Sequence, residues 1–350
     1  MGRSINMTHA AGEKFREPGF WETIREAFLG VRRRMDCIQV EVTSRCPGRC
    51  SYCPHTILHD QWLSRDMDMG TFERLWPVMR KAGRVHLQGW GEPLLHPGFF
   101  DMAALAHKAG CAVSTTTCGL RMDRDMARKI VDSGIDIVAF SLAGTDAVSN
   151  TARHGVNFAS VCEAVSLLQG VRRSAGAVHL EIHFAYMMLA SVMEAVRGLP
   201  VLAHRLGVHA VVVSTLDYIA EPGFEVEAFM PHEARKLARA ATVLAETAAE
   251  AKRLGVDFHW SLCRPDASGK ECRENIARSL CVAADGAVAP CVYVNVPVNR
   301  LDPKRRVFGN VNETDPIEIW ESEAFRRFRD GLATGDADLP CRKCPKRFII

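Results

Sequence analysis

From residue 36 onward, short apolar runs bounded by turn residues alternate with stretches in which apolar positions recur every three or four residues. Runs of the first kind stand at 38–42 (Ile38-Gln39-Val40-Glu41-Val42), 85–87, 112–114, 135–142, 180–186 and 210–213. Helical periods fill the gaps, at 71–81, near His107, near Ala127, and over 161–172 and 192–205. Strands separated by a helix must return in the same direction, so units in series build a parallel sheet. Six of them predict an α/β fold, a partial (β/α)6 TIM-like barrel with its chemistry at the C-terminal ends of the strands. An Ala-rich helix over 232–254 and a strand around Phe258 close the alternation. Beyond it, 278–292 reads as a hairpin turning at Asp285-Gly286 and 317–332 as a helix, a small α+β domain. Residues 20–31 carry an amphipathic period. The organisation expected is a helical arm over 1–35, a core over 36–258 and a C-terminal domain over 259–350.

Charge narrows the partners. Lys plus Arg number 44 against 41 Asp plus Glu, a net +3, and no block of like charge exceeds Arg32-Arg33-Arg34, so nucleic acid is not expected. Apolar stretches are interrupted by Glu181, His183 and His209 before reaching membrane-spanning length, and residues 1–6 hold no apolar signal core. A cytoplasmic protein without a membrane partner is expected. In that reducing compartment, clustered members of the thirteen cysteines read as metal ligands and not as disulfides. Cys37, Cys111, Cys118 and Cys162 are scattered and read as small core residues.

Cys46, Cys50 and Cys53 follow directly on the first strand. Three thiolates on one loop can hold three irons of a 4Fe-4S cluster and leave the fourth open, while a structural zinc would need His55 or His59 as its fourth ligand. The CxxxCxxC spacing with an aromatic at Tyr52 resembles the radical S-adenosylmethionine superfamily. Gly89-Trp90-Gly91-Glu92-Pro93, after the second strand, is similar to that family's GGEP loop, with Trp90 where a second glycine is usual. The resemblance implies that its backbone and acid hold the amino group of S-adenosylmethionine. Thr116-Thr117-Cys118-Gly119 resembles the family's TNG turn, with Cys118 in place of Asn. Ser141 and Arg153 match the Ser and Arg that relatives of this layout use for the cofactor's ribose and carboxylate; a guanidinium fork suits a carboxylate, and a surface salt bridge is the plainer role for Arg153.

A second set lies near the C-terminus. Cys272, Cys291, Cys341 and Cys344 are four thiols from two distant segments, a site for zinc or for an iron-sulfur cluster. With Gly309-Asn310-Val311, Trp320 and Phe325 between the halves, the pattern resembles the SPASM and twitch modules that follow radical S-adenosylmethionine cores. The resemblance implies one auxiliary 4Fe-4S cluster on these four cysteines, since no further cysteine follows Cys344. Cys263 could substitute for Cys272, and Cys281 falls where a hairpin strand wants an apolar residue.

The resemblance implies an enzyme that reductively cleaves S-adenosylmethionine to a 5′-deoxyadenosyl radical, which abstracts a substrate hydrogen. A two-electron oxidation assisted by the auxiliary cluster is the first expectation, a peptide- or protein-modifying maturase the alternative, and a non-enzymatic metal-stabilised scaffold the third. The implied partners are S-adenosylmethionine, a small-molecule or peptide substrate, and a reductant such as flavodoxin or ferredoxin. Asp217, Tyr218 and Glu221 follow the sixth strand, where a substrate proton acceptor could sit, and His183 reads as a hydrogen-bonded core residue.

Overall fold

A computed structural model describes residues 35–264, 269–299, 305–337 and 339–348. The arm expected over 1–35 lies outside the described residues apart from Met35, which opens the first strand. In chain order the strands are β1 (Met35–Val40), β2 (Arg49–Cys50), β3 (Ala82–Leu87), β4 (Ala112–Thr117), β5 (Ile137–Leu142), β6 (Arg153–His154), β7 (Glu181–Met188), β8 (Ala210–Thr215), β9 (Asp257–Trp260), β10 (Ser279–Val282), β11 (Ala287–Ala289) and β12 (Gly309–Asn310). Ten of them form one sheet in the order β12-β11-β10-β1-β3-β4-β5-β7-β8-β9, and β2 pairs with β6.

From β10 through β9 every neighbouring pair is parallel, and the sheet stays open between β9 and β12, the partial barrel that the alternation predicts. The hairpin within the segment expected as the C-terminal domain extends this sheet. β10 lies parallel on β1, pairing Cys37 with Ser279 and Gln39 with Cys281, and β11 and β12 follow antiparallel. Without it, β1 would present an open row of backbone donors and acceptors. Gly286 makes the hairpin turn at φ +83°, a conformation that costs a glycine little.

Along β5, Val138, Phe140 and Leu142 are fully buried while Ile137, Ala139 and Ser141 are half-buried on the opposite face, the two-residue period of a pleated strand. The same inner face on neighbouring strands carries polar groups that satisfy one another. His86 Nδ1 meets Ser114 Oγ at 2.9 Å, His86 Nε2 meets Gln88 Oε1 at 2.8 Å, and Gln39 Nε2 donates to the Gln88 carbonyl at 3.1 Å. His183 is likewise bonded, to Glu181 at 2.7 Å.

Helices differ from their predicted extents where proline or a cap intervenes. The period over 71–81 becomes two short helices, Met69–Glu73 and Trp76–Met79, because Pro77 has no N–H and starts a new turn. That over 192–205 begins as a 3-10 segment, Ala190–Gly198, and turns α only at Leu199–Leu206, with Pro200 in its first turn. The one over 317–332 breaks at Ser322, whose side chain accepts the Phe325 N–H and caps a second helix. No helix among the described residues is long and apolar enough to cross a membrane.

Candidate active site

The loop after β1 carries Cys46, and its entry is pinned by the chain that returns from the cysteines. Ser44 Oγ donates to the Leu63 carbonyl at 2.7 Å, Thr43 Oγ1 to Asp66 at 2.7 Å, and the Trp62 indole to the Ser44 carbonyl at 2.8 Å. Cys50 lies on β2, opposite Arg153 of β6, so the cysteine loop is bolted by backbone pairing to the segment that presents the arginine. Cys53 opens the short helix Pro54–Ile57.

The Cys46 and Cys50 sulfurs both lie within 4 Å of where a Cβ on Gly48 would stand, 3.5 and 3.9 Å away. Burial pushes the Cys46 thiol up to about 11 and the Cys53 thiol up to about 12, and the neighbouring thiols push the same way. Thiols so placed ionise only when a bound cation compensates them. Among the described residues no three of His, Cys, Asp and Glu stand close enough to ligate a single metal ion.

Arg153 is 7% exposed, which excludes a surface salt bridge. Its Nη1 donates to the Tyr52 hydroxyl at 3.2 Å, while its Nε has no hydrogen-bond partner among the described residues. Two more buried polar atoms nearby lack partners among the described residues: the Tyr186 hydroxyl and the Nδ2 of Asn150, a residue whose Oδ1 accepts the Ala143 N–H at 2.9 Å. Buried donors left unpaired are costly, and a polar ligand carrying a carboxylate and hydroxyls would satisfy them. Ser141 is half-buried at the end of β5, in register with Ala185 of β7. Beside them Tyr52, Ala143, Leu189, Leu216 and Ala228 form a small buried apolar cluster, against which Met187 and Ile219 pack.

The loop 89–93 crosses the end of β1 so closely that side chains are excluded at two positions. A Cβ on Gly89 would lie 2.4 Å from Glu41, and one on Gly91 2.2 Å from the Thr43 carbonyl oxygen. Glu41, which sequence reasoning passed over, accepts the Trp90 N–H at 2.8 Å; burial raises its carboxyl to about 7 against the pull of that bond. An acid set between Val40 and Val42 at the end of the first strand was the available signal. Glu92 is 3% exposed and takes donors from Thr117 Oγ1 at 2.7 Å, the Cys118 N–H at 2.6 Å and the Leu94 N–H at 3.3 Å. Its carboxylate therefore clamps this loop to the turn after β4, and Pro93 opens the short 3-10 turn that it caps. Glu92→Ala is expected to destabilise the fold by about 2–4 kcal/mol, because it strands the Thr117 hydroxyl and the Cys118 amide; urea denaturation measures it.

The second cysteine set also assembles. Cys272, Cys291 and Cys341 pack on Ile276, Leu332 and Ala337, and the Cys344 amide donates to the Cys341 carbonyl at 3.2 Å. Burial raises all of Cys272, Cys291 and Cys344, the last to about 12, and each is raised further by other members of the set. Cys263 stands apart, its thiol donating to the Phe229 carbonyl at 2.9 Å, and Cys281 is buried on β10. Lys346, also missed although it lies two residues past Cys344, is 8% exposed and pairs with Asp217 at 3.1 Å and Glu274 at 3.0 Å. Asp217 is thus already committed to a cation. Burial alone would push the Lys346 amine down, but Asp217, Tyr293 and Glu274 more than offset it and hold it well above the usual lysine range.

The profile of the Radical SAM superfamily matches residues 40–181, and that of SPASM, an iron-sulfur cluster-binding domain, matches 272–345. The chain belongs to the radical SAM superfamily. Both cysteine sets of this radical SAM protein fall inside the matched segments. It is 26% identical over 318 residues to the tungsten-containing aldehyde ferredoxin oxidoreductase cofactor-modifying protein of Pyrococcus furiosus, covering 84% of this chain and 83% of that one. It is 26% identical over 316 residues to the PqqA peptide cyclase of Methylocella silvestris, covering 88% and 79%. The solved structure of SuiB of Streptococcus suis bound to S-adenosylmethionine shares its fold, with a TM-score of 0.66 at 12% identity over 93% of this chain and 74% of that one. The protein is a radical SAM enzyme with a SPASM-type domain, and S-adenosylmethionine, a 4Fe-4S cluster and auxiliary iron-sulfur chemistry are its cofactors. The thiol sets and the unpaired Arg153, Tyr186 and Asn150 atoms fit those groups.

Proposed function

We infer that this radical SAM enzyme is a maturase that modifies a peptide or protein side chain. The observation that carries this reading is the similarity to PqqA peptide cyclases, which runs through the core and the SPASM domain alike. It favours the alternative of the two enzyme readings over a small-molecule oxidation. When bound, S-adenosylmethionine and the reduced cluster supply the 5′-deoxyadenosyl radical that abstracts a substrate hydrogen.

The residues of this chain divide the remaining work. Cys46, Cys50 and Cys53 hold the cluster. Gly89, Gly91, Glu92 and Pro93 shape the loop that receives the amino group, Arg153 meets the carboxylate with Tyr52 holding its guanidinium, and Ser141 reaches the ribose. The apolar cluster around Tyr52 and Leu216 offers an adenine ring a dry seat and keeps water from the radical's path. Cys272, Cys291, Cys341 and Cys344 hold one auxiliary 4Fe-4S cluster as electron acceptor, and an external carrier of the flavodoxin or ferredoxin type is the reductant. The core ends near residue 258, with the auxiliary domain following. None of the thirteen cysteines is joined in a disulfide, which suits the cytoplasm.

The test is anaerobic reconstitution, followed by incubation with a short peptide encoded beside this gene and mass spectrometry. A peptide that loses two hydrogens, with 5′-deoxyadenosine released, supports the reading; an unchanged peptide together with turnover of a small polyol or amine refutes it. Cys344→Ala is expected to keep 5′-deoxyadenosine release at saturating S-adenosylmethionine within about threefold while peptide product falls more than about tenfold. Equal loss of both, with the first cluster intact, would remove the electron-acceptor role.

A further inference from the structure

Trp90 occupies the one place in the loop 89–93 where the family usually carries a glycine and this chain does not. Gly89 and Gly91, on either side, have no room for a side chain, whereas the Trp90 indole packs against two tyrosines. Its ring centroid lies 5.6 Å from that of Tyr218 and 6.0 Å from that of Tyr293, and the two tyrosine rings are themselves stacked 6.2 Å apart at 13°. The three rings come from three separate pieces: the loop itself, the segment after β8, and the C-terminal module two residues past Cys291.

Tyr293 is held firmly on the module side, with Lys346 Nζ 5.8 Å above its ring and Lys346 paired in turn to Asp217 and Glu274. The Trp90 indole N–H is buried and has no hydrogen-bond partner among the described residues, so the ring is placed by packing alone. On the β1 side the same loop is held through its backbone, Trp90 N–H to Glu41 at 2.8 Å and Glu92 N–H to the Arg45 carbonyl at 2.8 Å. The barrel thus grips the loop through these backbone bonds and through the Glu92 carboxylate, and aromatic contact adds a grip from the cysteine module.

We propose that Trp90 is a positioning residue through which the C-terminal cysteine module holds the S-adenosylmethionine loop, so that affinity for S-adenosylmethionine depends on that module being built around its cluster. This rests on the reading of residues 89–93 as the loop that binds the cofactor.

The experiment measures the S-adenosylmethionine Kd of the reconstituted enzyme by equilibrium dialysis, with iron content and circular dichroism as controls. Trp90→Gly should weaken binding about tenfold, equivalent to about 1.4 kcal/mol, and Trp90→Phe should restore it to within about twofold. Tyr293→Leu, which breaks the contact from the other side, should act like Trp90→Gly. In a Cys344→Ala background the Trp90→Gly change should add less than about twofold, since the grip is already lost. Amide hydrogen exchange at residues 90 and 92 should speed up in Trp90→Gly and Cys344→Ala and stay slow in Trp90→Phe. Full additivity, or an unchanged Kd in Trp90→Gly while Gly91→Ala abolishes binding, overturns the proposal and leaves the loop reading standing. Normal binding by Gly91→Ala overturns the loop reading itself, and the proposal with it.

Discussion

Cys50→Ala is expected to reduce S-adenosylmethionine cleavage by more than about a hundredfold, without unfolding the protein. The reason is local. Cys50 is one of three thiols on the loop proposed as the cluster corner, and the two histidines nearest in the chain are otherwise engaged: His59 is exposed and paired with Asp60, and the His55 ring packs edge-on against Trp62. The fold loses little, because β2 pairs with β6 through its backbone and the Cys50 side chain is only half-buried. The readouts are iron and sulfide content and 5′-deoxyadenosine release under dithionite. Cleavage above a tenth of the wild-type rate would show that Cys50 is not a ligand. Cys118→Ala is the informative contrast. Alanine keeps the Cys118 amide bond to Glu92 and loses only the thiol's contact with that carboxylate, so cleavage should survive.

The second large effect belongs to Lys346. Its amine is buried between Asp217 and Glu274, whose side chains are 2% and 20% exposed, and Lys346→Met would leave two carboxylates in that place without their cation. Removing one partner of a buried ion pair costs about 3–5 kcal/mol, enough to lower the melting temperature by several degrees. Asp217→Asn in the same chain should recover part of the loss, because one stranded charge is then gone. The pH dependence has a definite sign. A lysine whose folded-state value is raised contributes stability that is fully present below its unfolded value and is lost only as pH rises through the folded one. The difference between wild type and Lys346→Met should therefore stay flat from about pH 6 to pH 9. A variant as stable as wild type would show that these charges are not desolvated.

Much of this site could be read from the linear order of residues because its ligands come from single short segments. Cys46, Cys50 and Cys53 sit on one loop, and the spacing that suggests a cluster corner is a property of eight consecutive residues. The same holds for Gly89 and Gly91, whose need to be glycine follows from one close crossing over Glu41 and Thr43. The alternation of strands and helices likewise made the parallel sheet predictable, since each unit packs on its sequence neighbour.

What the order of residues did not show arises from partners far apart in the chain. That β10 would lie on β1, over 200 positions away, depends on which edge the barrel leaves open. That Glu92 would spend its carboxylate on Thr117 and Cys118, and Asp217 on Lys346, depends on how loops at one sheet edge converge. Trp90 shows the division most plainly. As a departure from glycine it stood out in the sequence alone, but its company of Tyr218 and Tyr293 exists only once the C-terminal module has folded back on the barrel mouth. Local spacing determined the chemistry this chain can carry, because ligand geometry is set within a few residues. The tertiary fold decided which charges and rings surround that chemistry, because burial and pairing are set by contacts that no periodicity encodes.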